Sequence, residues 1–503
     1  MELNLQHTVL EGYQTILDTA LSQEEVLESI VPDAFPDVSR IISTTGTAYL
    51  TTKQVGDSSA KIVGIACIDI LYVPEEDSTA RSIQLKIPFQ CVADCPQIND
   101  SDEIHGTVLS VLADTRMVNP RKLFVKAEVK VAVKVYSRYT REVASDLACE
   151  ENGTIQKQWK EHQHYSASAV LEKAFSFSDN LHLSSSKPAI DEMLSYRMDP
   201  ASVEARYIGK KLVCKGEMVL SVLYRSGNEL CRTHFELPYS QILDLEGNYD
   251  EGEPDVMVAL KNAECHLLDG SLDVSVEAVI QAALWSHRTV KLLCDTYSTA
   301  VPLDVERSEN TICTMSEKVM RKESARKFCE SGIPAKQVLS CSVWLNPVTA
   351  VRQEHGLQYT ADALTDILYC SEDGAICNGS YVIPVTCMAE VPLNCSCSCS
   401  SRLTGDVIAV PVSGGFEVRF EVEFIWRSEK NEQLPCVSKV RKSNAAASAE
   451  QRPSVIIRMV GQNESLWDVA KACGAAIPDI YAANELMTED VAAGTVLLVP
   501  TKR

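Results

Sequence analysis

Three short strings in the chain are near copies: Asp69-Ile70-Leu71-Tyr72, Ser221-Val222-Leu223-Tyr224 and Asp366-Ile367-Leu368-Tyr369. Their tyrosines lie 152 and 145 residues apart, and Ser43, Ser195 and Ser340 repeat those spacings upstream, as do Ile42, Leu194 and Leu339. A spacing kept on both sides of two long gaps describes one domain used three times. Every other segment has to be placed around those copies.

Within each copy the same order of signals recurs. Blocks containing Pro36, Pro188 and Pro334 predict one or two turns of helix opened by proline. A strand of about ten residues then leads to Tyr72, Tyr224 or Tyr369, and the polar strings Glu75-Glu76-Asp77, Ser226-Gly227-Asn228 and Glu372-Asp373-Gly374 mark a hairpin. Returning strands reach Ile87-Pro88, Leu237-Pro238 and Ile383-Pro384. Last comes strict alternation: Val125 to Val135, Val274 to Leu284 and Phe416 to Phe424 place an apolar side chain at every second position. Period two with one apolar and one polar face is the pattern of antiparallel sheets. The predicted fold class is mainly β, with three repeated antiparallel β-domains, each a sandwich or an open barrel, followed by a small βααβ unit.

The boundaries follow. Residues 1–30 predict an N-terminal helical segment, because Leu10, Tyr13, Ile16, Leu17 and Leu21 fall near helical spacing. The first β-domain covers 31–140, the second 187–298 and the third, the most divergent, 333–430. Polar connectors fill 141–186 and 299–332. A basic, small-residue linker runs over 431–454 and isolates a last unit, 455–503.

Composition narrows the function. A length of 503 residues is enough for several domains, and 45% hydrophobic with 23% charged residues is ordinary for a folded chain. A formal charge of −22 excludes general affinity for nucleic acid or anionic lipid. The N-terminus has neither the basic nor the apolar region of an export signal, and no apolar run approaches membrane-spanning length. Nineteen cysteines without a CxxC pair then read as reduced thiols of a protein working inside a cell.

No nucleotide-binding, nucleophile-elbow or HExxH string is present, and the acidic residues fall on alternating wet faces, so the expectation is a non-enzyme without cofactor or metal. Cys395, Cys397 and Cys399 would share one strand face and could attract a soft metal. Their repeat counterparts near Val108 and Val256 are plain strand, which favours buried small residues. His162-Gln163-His164 lacks a third ligand and reads as solvated linker. The three tyrosines read as core residues with a wet hydroxyl.

In the last unit, Ser465-Leu466-Trp467-Asp468 forms a capping box and Gly474 ends the helix. Pro478 opens a second helix to Asn484, and Gly494 precedes a closing strand to Pro500. These residues resemble a LysM domain. The resemblance makes Trp467, Asp468, Gly474, Asn484, Gly494 and Pro500 framework residues. It implies a shallow groove for glycans containing N-acetylglucosamine, or for a protein, at Asn463, Glu464, Ser465 and Leu466 together with Met487, Thr488 and Glu489. Asn463-Glu464 replaces the usual Gly-Asp, and Arg458 the usual aromatic.

Repeated β-domains followed by one LysM resemble the SPOCS, or spore coat, domain family. That resemblance implies a protein of the mother-cell cytoplasm at the forespore surface, and later of the spore coat. It would attach the basal coat by binding the sporulation ATPase SpoIVA and other coat proteins. The alternative is a protein that binds peptidoglycan of cortex or cell wall.

Overall fold

The computed structural model describes residues 3–76, 79–148, 154–247, 249, 252–354, 356–443, 453–488 and 490–501. The first repeat comprises β1 (Asn4–Ile30), β2 (Val38–Gly56), β3 (Ser59–Pro74), β4 (Arg81–Asp94), β5 (Glu103–Asn119) and β6 (Lys122–Ala148). The second has β7 (Ile155–Leu181), β8 (Glu192–Ile208), β9 (Lys211–Ser226), β10 (Glu229–Asp244), β11 (Glu253–Leu268) and β12 (Ser271–Ser298). The third has β13 (Leu303–Glu330), β14 (Ala335–Leu345), β15 (Thr349–Gln353), β16 (Gly356–Ser371), β17 (Ile376–Ala389), β18 (Ser396–Val412) and β19 (Gly415–Lys442). A small module of β20 (Val455–Met459), α1 (Leu466–Cys473), α2 (Ile477–Asn484) and β21 (Val496–Pro500) follows.

Each repeat is a sandwich of two antiparallel sheets. One sheet pairs the first and last strands over almost their whole length, β1 with β6, β7 with β12 and β13 with β19, and adds β5, β11 or β18 at the far side of the last strand. The other is centred on β3, β9 or β16. In the first repeat Ile62, Ile68, Ile70 and Phe89 of the second sheet meet Val125, Val129, Val131 and Val133 of β6, and equivalent layers fill the other two. Strands β1 and β7 touch at Tyr13 and Ala167 and join two of the sheets into one of six strands. Gly12 allows that crossing, since a Cβ there would sit 2.8 Å from Ser166.

Several expectations are corrected. Residues 4–30 form the strand β1, not a helix. The register to β6 shifts between Thr15 and Leu17, so Ile16 bulges and the apolar phase slips by one residue. That slip puts Ile16 beside Leu17 and imitates helical spacing. The connectors are not connectors: 141–186 holds the end of β6 and all of β7, and 299–332 holds β13. They read as polar because these long strands turn one face to water. The blocks around Pro36, Pro188 and Pro334 are non-helical turns and bends leading into β2, β8 and β14. Strand β19 continues to Lys442, so the linker cannot start at 431; Cys436, Val437 and Val440 point inward from that stretch. Residues 444–452 lie outside the described residues.

Two apolar clusters join the repeats. One contains Ile42, Leu194 and Leu339 with Leu71, Leu223 and Leu368, the same two positions from every repeat. The other gathers Val143 and Leu147 of β6, Leu292 and Leu293 of β12, and Val437 and Val440 of β19. Equivalent residues of three copies can share one cluster only if the copies surround an axis. Polar contacts reinforce it. Gln281 exchanges two 2.8 Å hydrogen bonds with the Gly106 backbone. The buried Arg427 guanidinium bridges from the third repeat to Glu253 at 2.9 Å and Asp255 at 3.2 Å, above the Trp285 ring.

Strand alternation separates the duties of adjacent residues. Leu71, Leu223 and Leu368 face the axis, whereas Tyr72, Tyr224 and Tyr369 face their own sandwich cores, 0%, 0% and 4% exposed. The Tyr72 hydroxyl donates to the Pro36 carbonyl at 3.4 Å and that of Tyr224 to Pro188 at 3.2 Å. Tyr369 lies 3.2 Å from the Ser331 hydroxyl. Each ring thus fills a core and ties down the turn between the first and second strands of its repeat. Replacing Tyr224 with Phe is expected to cost about 1 kcal/mol through the lost bond, and Tyr224→Ala about 3–5 kcal/mol through the cavity. Denaturant midpoints followed by circular dichroism test this, and equal effects of the two changes would refute a packing role.

Candidate functional site

The C-terminal module is set by local chemistry. Ser465 caps α1, its hydroxyl accepting from the Asp468 N–H at 3.2 Å while the Asp468 carboxylate accepts from the Ser465 N–H at 2.9 Å. The Ser465 hydroxyl, which also donates to the Asp468 carboxylate at 2.6 Å, and then the Ser465 N–H hold that carboxyl below its ordinary range. Gly474 ends the helix at φ +63°. The Asn484 side chain accepts from the Leu498 N–H at 2.7 Å and donates to the Ile480 carbonyl at 2.8 Å, fixing α2 to β21. Gly494, at φ +89°, donates to Val460 at 2.9 Å, and Pro500 closes β21 opposite Val455.

The groove residues divide. Asn463, at φ +60°, and Ser465, Met487 and Thr488 are exposed, Met487 almost fully at 96%. Leu466 is buried in the module core with Val469, Ala470 and Ile480, so its side chain offers no surface. Glu464 is already engaged: it accepts from Gly461 N–H at 2.9 Å and from Arg458 at 2.6 Å, contacts that hold its carboxyl below the usual range. Glu489 lies outside the described residues. Trp467 faces the second repeat, where its indole N–H donates to Asp295 at 2.8 Å.

Strand pairing exposes a feature the sequence reading passed over. Ile457 stands opposite Leu498 and Met459 opposite Val496, and all four, with Val455, are exposed. Among the described residues nothing covers this face of the two-stranded sheet, and it is apolar. The signal was present as alternation in Val455-Ile456-Ile457-Arg458-Met459, with Ile456 turned inward and both its neighbours outward.

A second candidate lies on the axis of the repeats, beneath the leucine cluster. A cavity of about 80 Å³ is lined by Ser43, Ser195 and Ser340 with Asp69, Ser221 and Asp366, and by Arg197, Arg232 and Trp344. Arg197 pairs with Asp199 at 2.7 Å and stacks over Trp344 at 4.5 Å. Arg232 reaches the Cys341 carbonyl at 3.3 Å, and burial lowers its affinity for a proton. Asp69 is buried, accepts from Gln84 at 2.9 Å, and burial pushes its carboxyl up to about 6.

Among the described residues no group of three or more His, Cys, Asp or Glu converges as a metal site. Cys395 is buried, and the Cys397 thiol lies 2.8 Å from the Tyr359 hydroxyl. Burial pushes Cys67, Cys91, Cys214 and Cys265 up to about 11, far from the reactive thiolate range. The pair His162 and His164 is not solvated linker. Both belong to β7, and His164 is buried where repeats meet, 2.8 Å from the Tyr139 hydroxyl; burial, then Arg288 and Arg141, push it down to about 4. In the sequence, the polar face of β7 gives this stretch the composition of a connector. Among the described residues no helix is long and apolar enough to cross a membrane.

Three pseudo-equivalent sandwiches surround an axis, and the appended module bears an open apolar face. Residues 37–111 and 189–268 each match the family described as SipL, SPOCS domain. The matched segments run from β2 into β5 and from the start of β8 to the end of β11, and the third repeat, outside them, keeps that order with its second strand split into β14 and β15. Over these two segments the chain is similar to the SPOCS domains of SipL, which supports a SipL-like protein related to sporulation. No curated protein and no solved structure matches it.

The axis cavity sets a pH response. The folded state keeps the Asp69 proton up to about pH 6, against an ordinary 3.8. Asp69 therefore contributes stability below pH 3.8 that is lost as pH rises through 6, at most about 3 kcal/mol. Asp69→Asn is expected to raise the denaturant midpoint at pH 7.5, with a gain that shrinks toward pH 4. A gain independent of pH would contradict the assignment.

Proposed function

We propose that the chain is a non-enzymatic adaptor in endospore coat morphogenesis, tethering the basal coat to the forespore surface from the mother-cell cytoplasm. Its partner in this reading is the ATPase SpoIVA, engaged through the C-terminal module, read as a LysM domain, and through the β-repeats. The observation that carries the reading is the apolar face of Val455, Ile457, Met459, Val496 and Leu498. A contiguous exposed apolar sheet face fits a protein surface, since a sugar offers few groups to match it. The two SPOCS matches support the sporulation setting. Three sandwiches beside one module also suit multivalent attachment, in which weak contacts add through effective concentration.

The second reading, peptidoglycan binding, draws on exposed Asn463, Ser465, Met487 and Thr488. It is disfavoured by the buried Leu466 and by Glu464 already held by Arg458. Full-length protein offered SpoIVA and purified peptidoglycan in parallel distinguishes the two. The adaptor reading expects retention on SpoIVA only, and a loss of at least about tenfold for Ile457→Asp, as for an apolar anchor at an interface centre. Retention on peptidoglycan without SpoIVA would replace it with the glycan reading.

A further inference from the structure

The end of β12 makes a seat for the C-terminal module. The Asp295 carboxylate, with only 8% of its side chain exposed, accepts from the Trp467 indole at 2.8 Å, from Lys471 at 2.7 Å and from Arg307 of the third repeat at 2.6 Å. Burial works to raise its proton affinity, but these three donors outweigh burial and hold it ionised below the ordinary range. Two residues on, the Tyr297 ring meets Trp467 edge to face at 5.0 Å, and its hydroxyl donates to the Ala475 carbonyl at 2.7 Å. Trp467 and Lys471, one turn apart on α1, both turn toward the repeat.

The seat exists once in three equivalent places. Each long-strand pair carries a register shift near its end that leaves Ser145, Cys294 or Ser438 unpaired. Those bulges align Asp146, Asp295 and Lys439, and two residues later Ala148, Tyr297 and Arg441. In the first repeat the Asp146 carboxylate is taken by Lys157 at 2.6 Å, and Ala148 has no ring. In the third, Lys439 has the wrong sign to receive Lys471, and Arg441 pairs with Glu306 at 3.7 Å. Only the second repeat combines a carboxylate with an aromatic ring at these positions.

We propose that Asp295 and Tyr297 are an address that docks the C-terminal module on the second repeat alone, and that docking sequesters the Trp467 side of α1 from other partners. A partner then meets the module from its open sheet face unless it displaces the seat. The address is a property of the chain itself and holds whatever the module binds.

Hydroxyl-radical footprinting of the full-length protein, read at Trp467 by mass spectrometry, tests the proposal, with hydrogen exchange of the β-repeats as the folding control. Asp295→Ala strands Lys471 and Arg307 without their anion and is expected to raise Trp467 modification severalfold. It should also enlarge the radius of gyration while the repeats keep their protection. Asp146→Ala, at the equivalent place in the first repeat, should leave Trp467 protected. Trp467 equally protected in wild type and Asp295→Ala, or exposed by Asp146→Ala, overturns the proposal. If Asp295→Ala unfolds the repeats, Lys471→Glu carries the same test from the module side: exposure of Trp467 supports the address, continued protection refutes it.

Discussion

The pairing of the first and last strand of each repeat is the contact on which the rest depends. Strands β1 and β6 lie side by side from Asn4–Ala148 to Ile30–Lys122, although more than a hundred residues separate the outer partners. Closing so long a loop costs entropy that grows only slowly with length, and 27-residue strands supply a ladder long enough to offset it. Closure returns the chain to the place where the repeat began, so the next one starts beside the last. Three such returns set the strand ends around an axis, where Leu147, Leu293 and Val440 bury one another.

Sheet geometry then assigns residues to packing or assembly. In Ile70-Leu71-Tyr72, the first and third face the sandwich and the middle one the axis. The same three-residue string thus stabilises its own repeat and binds the other two. Its polar neighbours line the cavity below, where strict threefold chemistry fails. Asp69, Ser221 and Asp366 occupy one equivalent position, and Ser82, Arg232 and Asn378 another. Acids and a base divided among copies give a charge-mixed interior that three identical repeats could not have.

This division explains what the sequence disclosed and what it hid. The repeat spacing, the alternating last strands, the hairpin turns and the capping box at Ser465 all rest on neighbours close in sequence, and each is legible there. The role of β1 was hidden because the Ile16 bulge shifts the apolar phase and its partner lies far along the chain. Strands β7 and β13 were hidden because one face of each is polar. At the module, helix caps and the buried α1 face could be read locally. The bond from Trp467 to Asp295 could not, because 172 residues separate them and neither looks unusual alone.

Divergence among the copies carries more functional information than their likeness. Where the repeats agree, as at Tyr72, Tyr224 and Tyr369, the residue serves a fold that all three must keep. Where equivalent positions differ, a symmetric frame acquires a direction. Asp146, Asp295 and Lys439 sit on the same bulge, yet one is neutralised by Lys157, one holds Trp467 and Lys471, and one is basic. A single module can therefore occupy a body that offers three similar places without choosing at random. Tandem duplication supplies the body, and a few unlike side chains at matched positions supply its polarity.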